Sequence, residues 1–294
     1  MIRRHNAVIP VAAMLLVAAP VAAQSIPFAD TEDATLSEID IADPQADWHP
    51  VLSFDLRNGD YARGALDDDD ASLGRLPVHV AFGGVVIVHR GADGSGRLFV
   101  IGQSSNGFHA PSAEERTRPR VWYESNNLVG VAWRPADGLT TAVTYTIKTS
   151  PNGIAPTTHE ASLTGLYTAE TPLGRLKPRM AVTRRTQGEG GIYTIAGVAP
   201  SFDLTQRENG MTLSLPVTVG IGWNGFYAAG SGDRLFGNGG ITLSQPLRIA
   251  GAMATVQAEV LALIRDERLR RLDGPDGTTA PVVPYATLSL ALAW

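Results

Sequence analysis

The sequence predicts an all-β chain, a transmembrane antiparallel up-and-down β-barrel of about 12 strands. Three observations carry this. Apolar residues alternate with small or polar ones over runs of 8 to 14 residues, the period of a strand with two unlike faces. The links between runs are alternately short and long. The tryptophans gather at run ends.

The runs are 50–57, 77–89, 96–103, 127–134, 139–148, 159–168, 175–185, 191–203, 211–223, 239–248, 253–266 and 282–294. Among the clearest, Met211, Leu213, Leu215, Val217, Val219, Ile221 and Trp223 alternate with Thr212, Ser214, Pro216, Thr218, Gly220 and Gly222. A helix, with period 3.6, does not place seven such residues on one face. In the last run, Leu288, Leu290, Leu292 and Trp294 share one face, and Thr287, Ser289, Ala291 and Ala293 share the other. Two features disturb the pattern. Alternation slips around Phe82-Gly83-Gly84, where a bulge is expected, and Pro178, Pro200, Pro216 and Pro246 fall inside runs, each lacking a ladder N–H.

The short links are 91–96, 135–138, 170–174, 206–210 and 249–251; the long ones are 58–76, 104–126, 149–158, 224–238 and 267–281, and the seventh link, around Gln187-Gly-Glu-Gly190, is the exception to the alternation. Such barrels keep short turns on the periplasmic side and long loops outside. Trp48, Trp133 and Trp294 then fall at one rim and Trp122 and Trp223 at the other, with Tyr123, Phe226, Tyr227 and Tyr285 joining the outer rim. Indoles favour the membrane interface.

A strand that ends on an aromatic residue, as Tyr285 to Trp294 does, resembles the C-terminal signal of bacterial outer-membrane β-barrels. That resemblance implies an outer-membrane location, lipid around the wall, and recognition of the last strand by periplasmic chaperones and the barrel-assembly machinery. The N-terminus agrees with export. Arg3 and Arg4 precede an apolar stretch, Val8 to Ala19, and Val21-Ala22-Ala23 is a small-residue cleavage site. The expected division is a signal peptide over 1–23, an acidic disordered periplasmic leader over 24–48, and the barrel over 49–294. Ser25 to Asp47 has seven acidic residues and no basic one, a composition that favours disorder.

The chain has no cysteine and a formal charge of −5, so thiolate chemistry is excluded and nucleic-acid binding has no basic stripe to support it. No cofactor is implied. Charged residues gather on the inward face: Asp55, Glu160 and Glu259 against Arg57, Arg134, Lys148, Lys177, Arg179, Arg185 and Arg265. In hydrocarbon these would be costly. By analogy with what such barrels often do, a porin-like passive channel for small solutes is expected, and the basic excess predicts a preference for anionic ones, with these residues setting selectivity. A lumen closed by pairing of the same charges, in a structural barrel with binding loops, is the alternative. Asp67, Asp68, Asp69 and Asp70 offer oxygen ligands for a divalent cation, but adjacent side chains diverge, and a solvated acidic loop is the plainer reading.

A second resemblance is local. Gln103-Ser-Ser-Asn106 and Arg118-Pro-Arg-Val-Trp-Tyr-Glu-Ser-Asn126 resemble the early part of outer-membrane phospholipase A. That family is a 12-strand barrel with Ser, His and Asn on its outer wall and bound calcium. The resemblance implies Ser105 as nucleophile; His109, four residues on in the same loop, is a candidate base by its position alone. Gln103 stands where the family's His-x-Ser-Asn-Gly motif has histidine, and Lys148-Thr-Ser-Pro-Asn-Gly153, a second partial match, also lacks it.

Overall fold

The structure, a computed structural model, describes residues 25–67, 71–91, 96–110, 121–153, 155–171, 174–188, 190–205, 210–272 and 280–294. The expected signal peptide lies outside these residues, as do Asp68, Asp69 and Asp70.

In chain order the strands are β1 (Ser25–Ala29), β2 (Leu36–Asp40), β3 (Trp48–Arg57), β4 (Tyr61–Ala62), β5 (Ala65–Leu66), β6 (Val78–His89), β7 (Arg97–Phe108), β8 (Trp122–Ala136), β9 (Leu139–Thr149) and β10 (Thr158–Tyr167). They continue with β11 (Ala169–Thr171), β12 (Gly174–Leu176), β13 (Arg179–Gln187), β14 (Gly191–Val198), β15 (Ser201–Asp203), β16 (Thr212–Ser214), β17 (Val217–Trp223), β18 (Arg234–Ile249), β19 (Ala252–Arg265) and β20 (Val282–Ala293). One short helix, α1 (Glu267–Arg270), is capped by the Asp266 carboxylate, which accepts from Leu269 N.

Twelve of these strands close into an antiparallel ring: β3, β6, β7, β8, β9, β10, β13, β14, β17, β18, β19 and β20, with β20 returning to pair β3. Every run read from the sequence corresponds to a wall strand. Four short strands extend the wall beyond the short-turn end as the series β11–β12–β15–β16, joined to β18. The prolines explain where wall and extension part. Pro178, Pro200 and Pro216 fall in the gaps between β12 and β13, β14 and β15, and β16 and β17. Pairing resumes across each gap, as with Tyr167 N donating to Pro178 O at 2.9 Å. Pro246 lies inside β18 beyond Ser244, the last residue of β18 that pairs β16, so its missing N–H falls on an edge without a described partner strand.

The bulge expected at Gly83–Gly84 is not there. Phe82, Gly84 and Val86 stay on the outer row and Gly83, Val85 and Ile87 on the inner, and the register shifts between Ile87 and His89 instead. Gly84 disturbs only the look of the pattern: a Cβ there would lie 2.2 Å from the Trp48 ring, which covers it. The two-residue link Ala250–Gly251 has both φ positive (50° and 81°), the type I′ form whose twist matches a hairpin.

The outer wall is an apolar band. Val129, Val143, Leu163 and Val260 are each 60% exposed or more, in the middle of their strands. The inner face is polar at many positions and, unlike that of an open pore, covered. The expected disordered leader is a hairpin instead. β1 and β2 pair in register from Ser25↔Asp40 to Ala29↔Leu36. The turn is fixed by Asp30, whose Oδ1 accepts from Glu32 N and Asp33 N at 2.6 and 3.0 Å. Ile26, Leu36 and Ile41 are buried against the inward residues Val51, Val85, Ile87, Phe99, Ile101, Leu128 and Leu166. Each such side chain contributes about 1.5–3 kcal/mol. The acidic composition misled because its charges meet a basic wall, not water.

Candidate functional site: the charged lumen

Ion pairs hold the hairpin along its length. At its base, Glu38 lies 3.3 Å from Arg134 and 3.7 Å from Lys177, and accepts from Thr168 Oγ1 at 3.1 Å. Arg134 also donates to Ser25 O and to Thr140 Oγ1. At its tip, Glu32 pairs with Arg57 at 2.6 Å, and Lys148 Nζ donates to Glu32 O at 2.9 Å. The hairpin therefore runs from the short-turn end towards the long-loop end, touching basic residues at both. Burial raises the Glu32 carboxyl to about 7, with Arg57 opposing, and raises that of Asp60 as well.

A second filling enters from the long-loop end. Arg63, between β4 and β5, donates to both Glu160 oxygens at 2.8 and 2.7 Å, and the Glu160 side chain is only 1% exposed. Arg185 and Lys148 lie 3.4 and 3.8 Å from the same carboxylate. The Arg63 guanidinium stacks over Tyr193 and Phe226, and Tyr227 Oη donates to Arg63 O at 2.6 Å. Phe226 joins Tyr61, Tyr193, Phe236, Leu263 and Leu269 in a buried cluster.

Arg265 donates to Gly64 O and its guanidinium lies over Tyr61. Glu259 accepts from Thr242 Oγ1, and Arg179 is half-buried on the inward row of β13. Of the ten charged residues placed on the inward face by the sequence, nine thus lie on inward rows of wall strands and Lys177 lies between β12 and β13, but hairpin or loop groups engage most of the basic ones, so they do not line an open passage.

The five tryptophans are all exposed on the outside: Trp48, Trp133 and Trp294 near the short-turn rim and Trp122 and Trp223 near the other. The remaining rim aromatics behave otherwise. Tyr123 and Phe226 are buried, Tyr227 packs on Phe226, and Tyr285 meets Tyr61 edge-on at 6.3 Å. The loops that carry or contact them fold inward, a turn that strand periodicity does not encode.

Ser105 and His109 both face the lumen and are buried. Four residues apart on one extended row, they stand about 13 Å apart, which rules out a direct serine–base pair. Ser105 lies beside Ala81 and Asn126, while His109 Nε2 meets Arg75 at 3.1 Å. On the outer wall, Ser104, Asn106, Ser125 and Asn127 line a shallow depression with Val80, Phe82 and the stacked Phe108 and Trp122 rings. The nearest outward imidazole pair, His159 with Tyr145 at 2.7 Å, lies on β10 and β9.

Sequence reading missed Arg63, Asp60 and Glu124. Asp60 and Arg63 fall in a link without periodicity; Glu124 falls in a run read as starting later. His79 was visible only as one of six histidines. In the structure His79 Nδ1 lies 3.2 Å from Asp55, and Nε2 lies 2.9 Å from Tyr123 Oη and 3.3 Å from Glu124.

A closed antiparallel 12-strand wall, apolar outside, charged within and ringed by tryptophan at both rims, defines an outer-membrane β-barrel. No family model matches the chain and no curated protein matches it. Among solved structures it is similar to the β domain of the Bordetella autotransporter Brka (11% identity, TM-score 0.41, covering 84% of this chain and 99% of that one). It is also similar to the translocator domain of autotransporter NalP from Neisseria meningitidis (8%, 0.39, 85% and 88%) and to the transport unit of the autotransporter AIDA-I from Escherichia coli (11%, 0.36, 85% and 91%).

Proposed function

We propose that the barrel is an outer-membrane pore for small anionic solutes, held shut by its own acidic hairpin. One observation carries this reading: the hairpin's carboxylates answer the wall's basic residues, Glu32 to Arg57 and Glu38 to Arg134 and Lys177. With the hairpin withdrawn, Arg57, Arg134, Lys148 and Lys177 face the lumen without it, and a basic lining favours anions. The hairpin is joined to the wall only through 41–47, so it can leave as a unit. The short-turn end is the periplasmic one in this reading, and the barrel-assembly machinery meets β20 there.

The test is conductance of the refolded chain in a planar bilayer. The chain itself is expected to be silent or to open rarely. The Glu32→Lys/Glu38→Lys double variant is expected to open often, with anion selectivity. A double variant that folds, exposes the hairpin to protease and still passes no current would leave a closed structural barrel as the function.

A further inference from the structure

The geometry points to a divalent transition-metal site at the tip of the hairpin, with Glu32, Asp60 and His79 as ligands and Zn²⁺ as the ion that suits them. The three come from separate segments: Glu32 from the β1–β2 turn, Asp60 from the loop after β3, His79 from β6. Their donor atoms all lie within 4.8 Å of one another. Asp60 belongs to a second group of the same kind, with Asp67 and Glu124. The Asp60 carboxylate is thus common to both.

Acidic groups alone would not make a site, and two further observations point to a ligand. Asp60 is 1% exposed, yet its Oδ2 has no hydrogen-bond partner among the described residues. A buried carboxylate oxygen left unmet is costly, and such atoms in folded chains ask for a partner. The second is the support of the imidazole. Asp55 holds His79 Nδ1 at 3.2 Å, which turns Nε2 toward Glu124 at 3.3 Å, and Tyr123 Oη, 2.9 Å from Nε2, is the group an ion would displace there. A carboxylate behind the ring is how metal-ligating histidines are oriented and made more basic.

Charge agrees. Glu32, Asp55, Asp60 and Glu124, with the exposed Asp67, gather around Arg57, His79 and Lys148, an acidic surplus. Arg57 takes Oε1 of Glu32, leaving Oε2 for an ion. Calcium and magnesium favour all-oxygen sites, whereas an imidazole with carboxylates suits zinc. A bound ion would tie hairpin, loop and wall together at one point. This inference stands whether or not the barrel conducts.

The experiment is calorimetric titration of the refolded chain, in detergent and without a histidine tag, with Zn²⁺ and separately with Ca²⁺. The expected result is saturable binding of one Zn²⁺, at least about tenfold tighter than Ca²⁺. Asp60→Asn and His79→Gln should each weaken it by about tenfold or more, and His159→Gln, on the outer wall, should leave it unchanged. Glu32 is outside the barrel wall, so Glu32→Gln keeps the test open if a wall variant misfolds; retained heat-modifiable gel mobility identifies folded protein. No saturable Zn²⁺ binding overturns the site, as does binding that survives in every folded variant. Proton uptake by the cluster in place of zinc overturns it too.

Discussion

The β1–β2 hairpin and the β4–β5 loop fill different parts of one lumen, and they are held there by different means. The hairpin buries aliphatic residues, Ile26 and Leu36, and pins its ends with Glu32 and Glu38. The loop inserts a cation, Arg63, between an aromatic cluster and the buried Glu160. The hairpin meets the wall through one covalent connection; the loop is tied at both ends, by β3 and β6. The hairpin's many moderate contacts can be lost and regained together. The loop centres on one deep ion pair, whose loss leaves Glu160 buried with only the longer contacts to Arg185 and Lys148. The first suits a part that moves and the second a part that stays.

The largest effect should come from the fixed part. Arg63→Ala leaves Glu160 buried with the more distant Arg185 and Lys148, at a cost of about 3–5 kcal/mol; denaturant unfolding of the refolded barrel measures it. A loss below about 1 kcal/mol would dissolve the distinction between the two fillings. Next, Leu36→Ala should weaken hairpin docking by about 3 kcal/mol. Limited proteolysis should then cut within 25–47 while gel mobility shows the wall intact. If wall and hairpin are lost together, the hairpin is core and not a movable part. Glu38→Gln should cost about 2 kcal/mol, as expected for hydrogen bonds to charged groups, and should raise opening frequency in a bilayer. Smallest is Arg175→Ala, which breaks an exposed pair with Glu170 on the β11–β12 extension. It should change stability by about 0–1 kcal/mol and leave hairpin protection as it was.

The wall was legible in the sequence because lipid outside and charge inside force period-two alternation on each strand. Strand ends were legible less well: β7 and β8 run past the expected limits to Phe108 and back to Trp122, where a bulge at Tyr123 shifts the register. The candidate site was half legible. The basic wall residues could be named, since parity gives their face. Their partners could not, since Glu32, Glu38 and Arg63 lie in segments whose place depends on what the barrel encloses. Composition made the hairpin look unfolded because disorder is judged against water, and its surroundings are basic residues and an apolar pocket. The rim aromatics Phe226 and Tyr227 misled for the same reason. A loop residue near a rim can turn outward to lipid or inward to the lumen, and periodicity is silent on which.

The seam between β20 and β3 has a consequence for time. Val51 pairs with Ala293, Trp294 N donates to Pro50 O at 3.2 Å, and His49 Nδ1 meets Trp294 O at 2.8 Å. Every other wall strand pairs first with a near neighbour in sequence; this contact joins the earliest wall strand to the latest. Loop-closure entropy makes such a pairing the slow one. Until it forms, β3 and β20 are open edges, the part of the growing sheet most prone to pair with the wrong chain. The rate of correct folding is therefore expected to be set at this seam, and a lag in refolding should follow changes at His49 before changes in the middle of the wall.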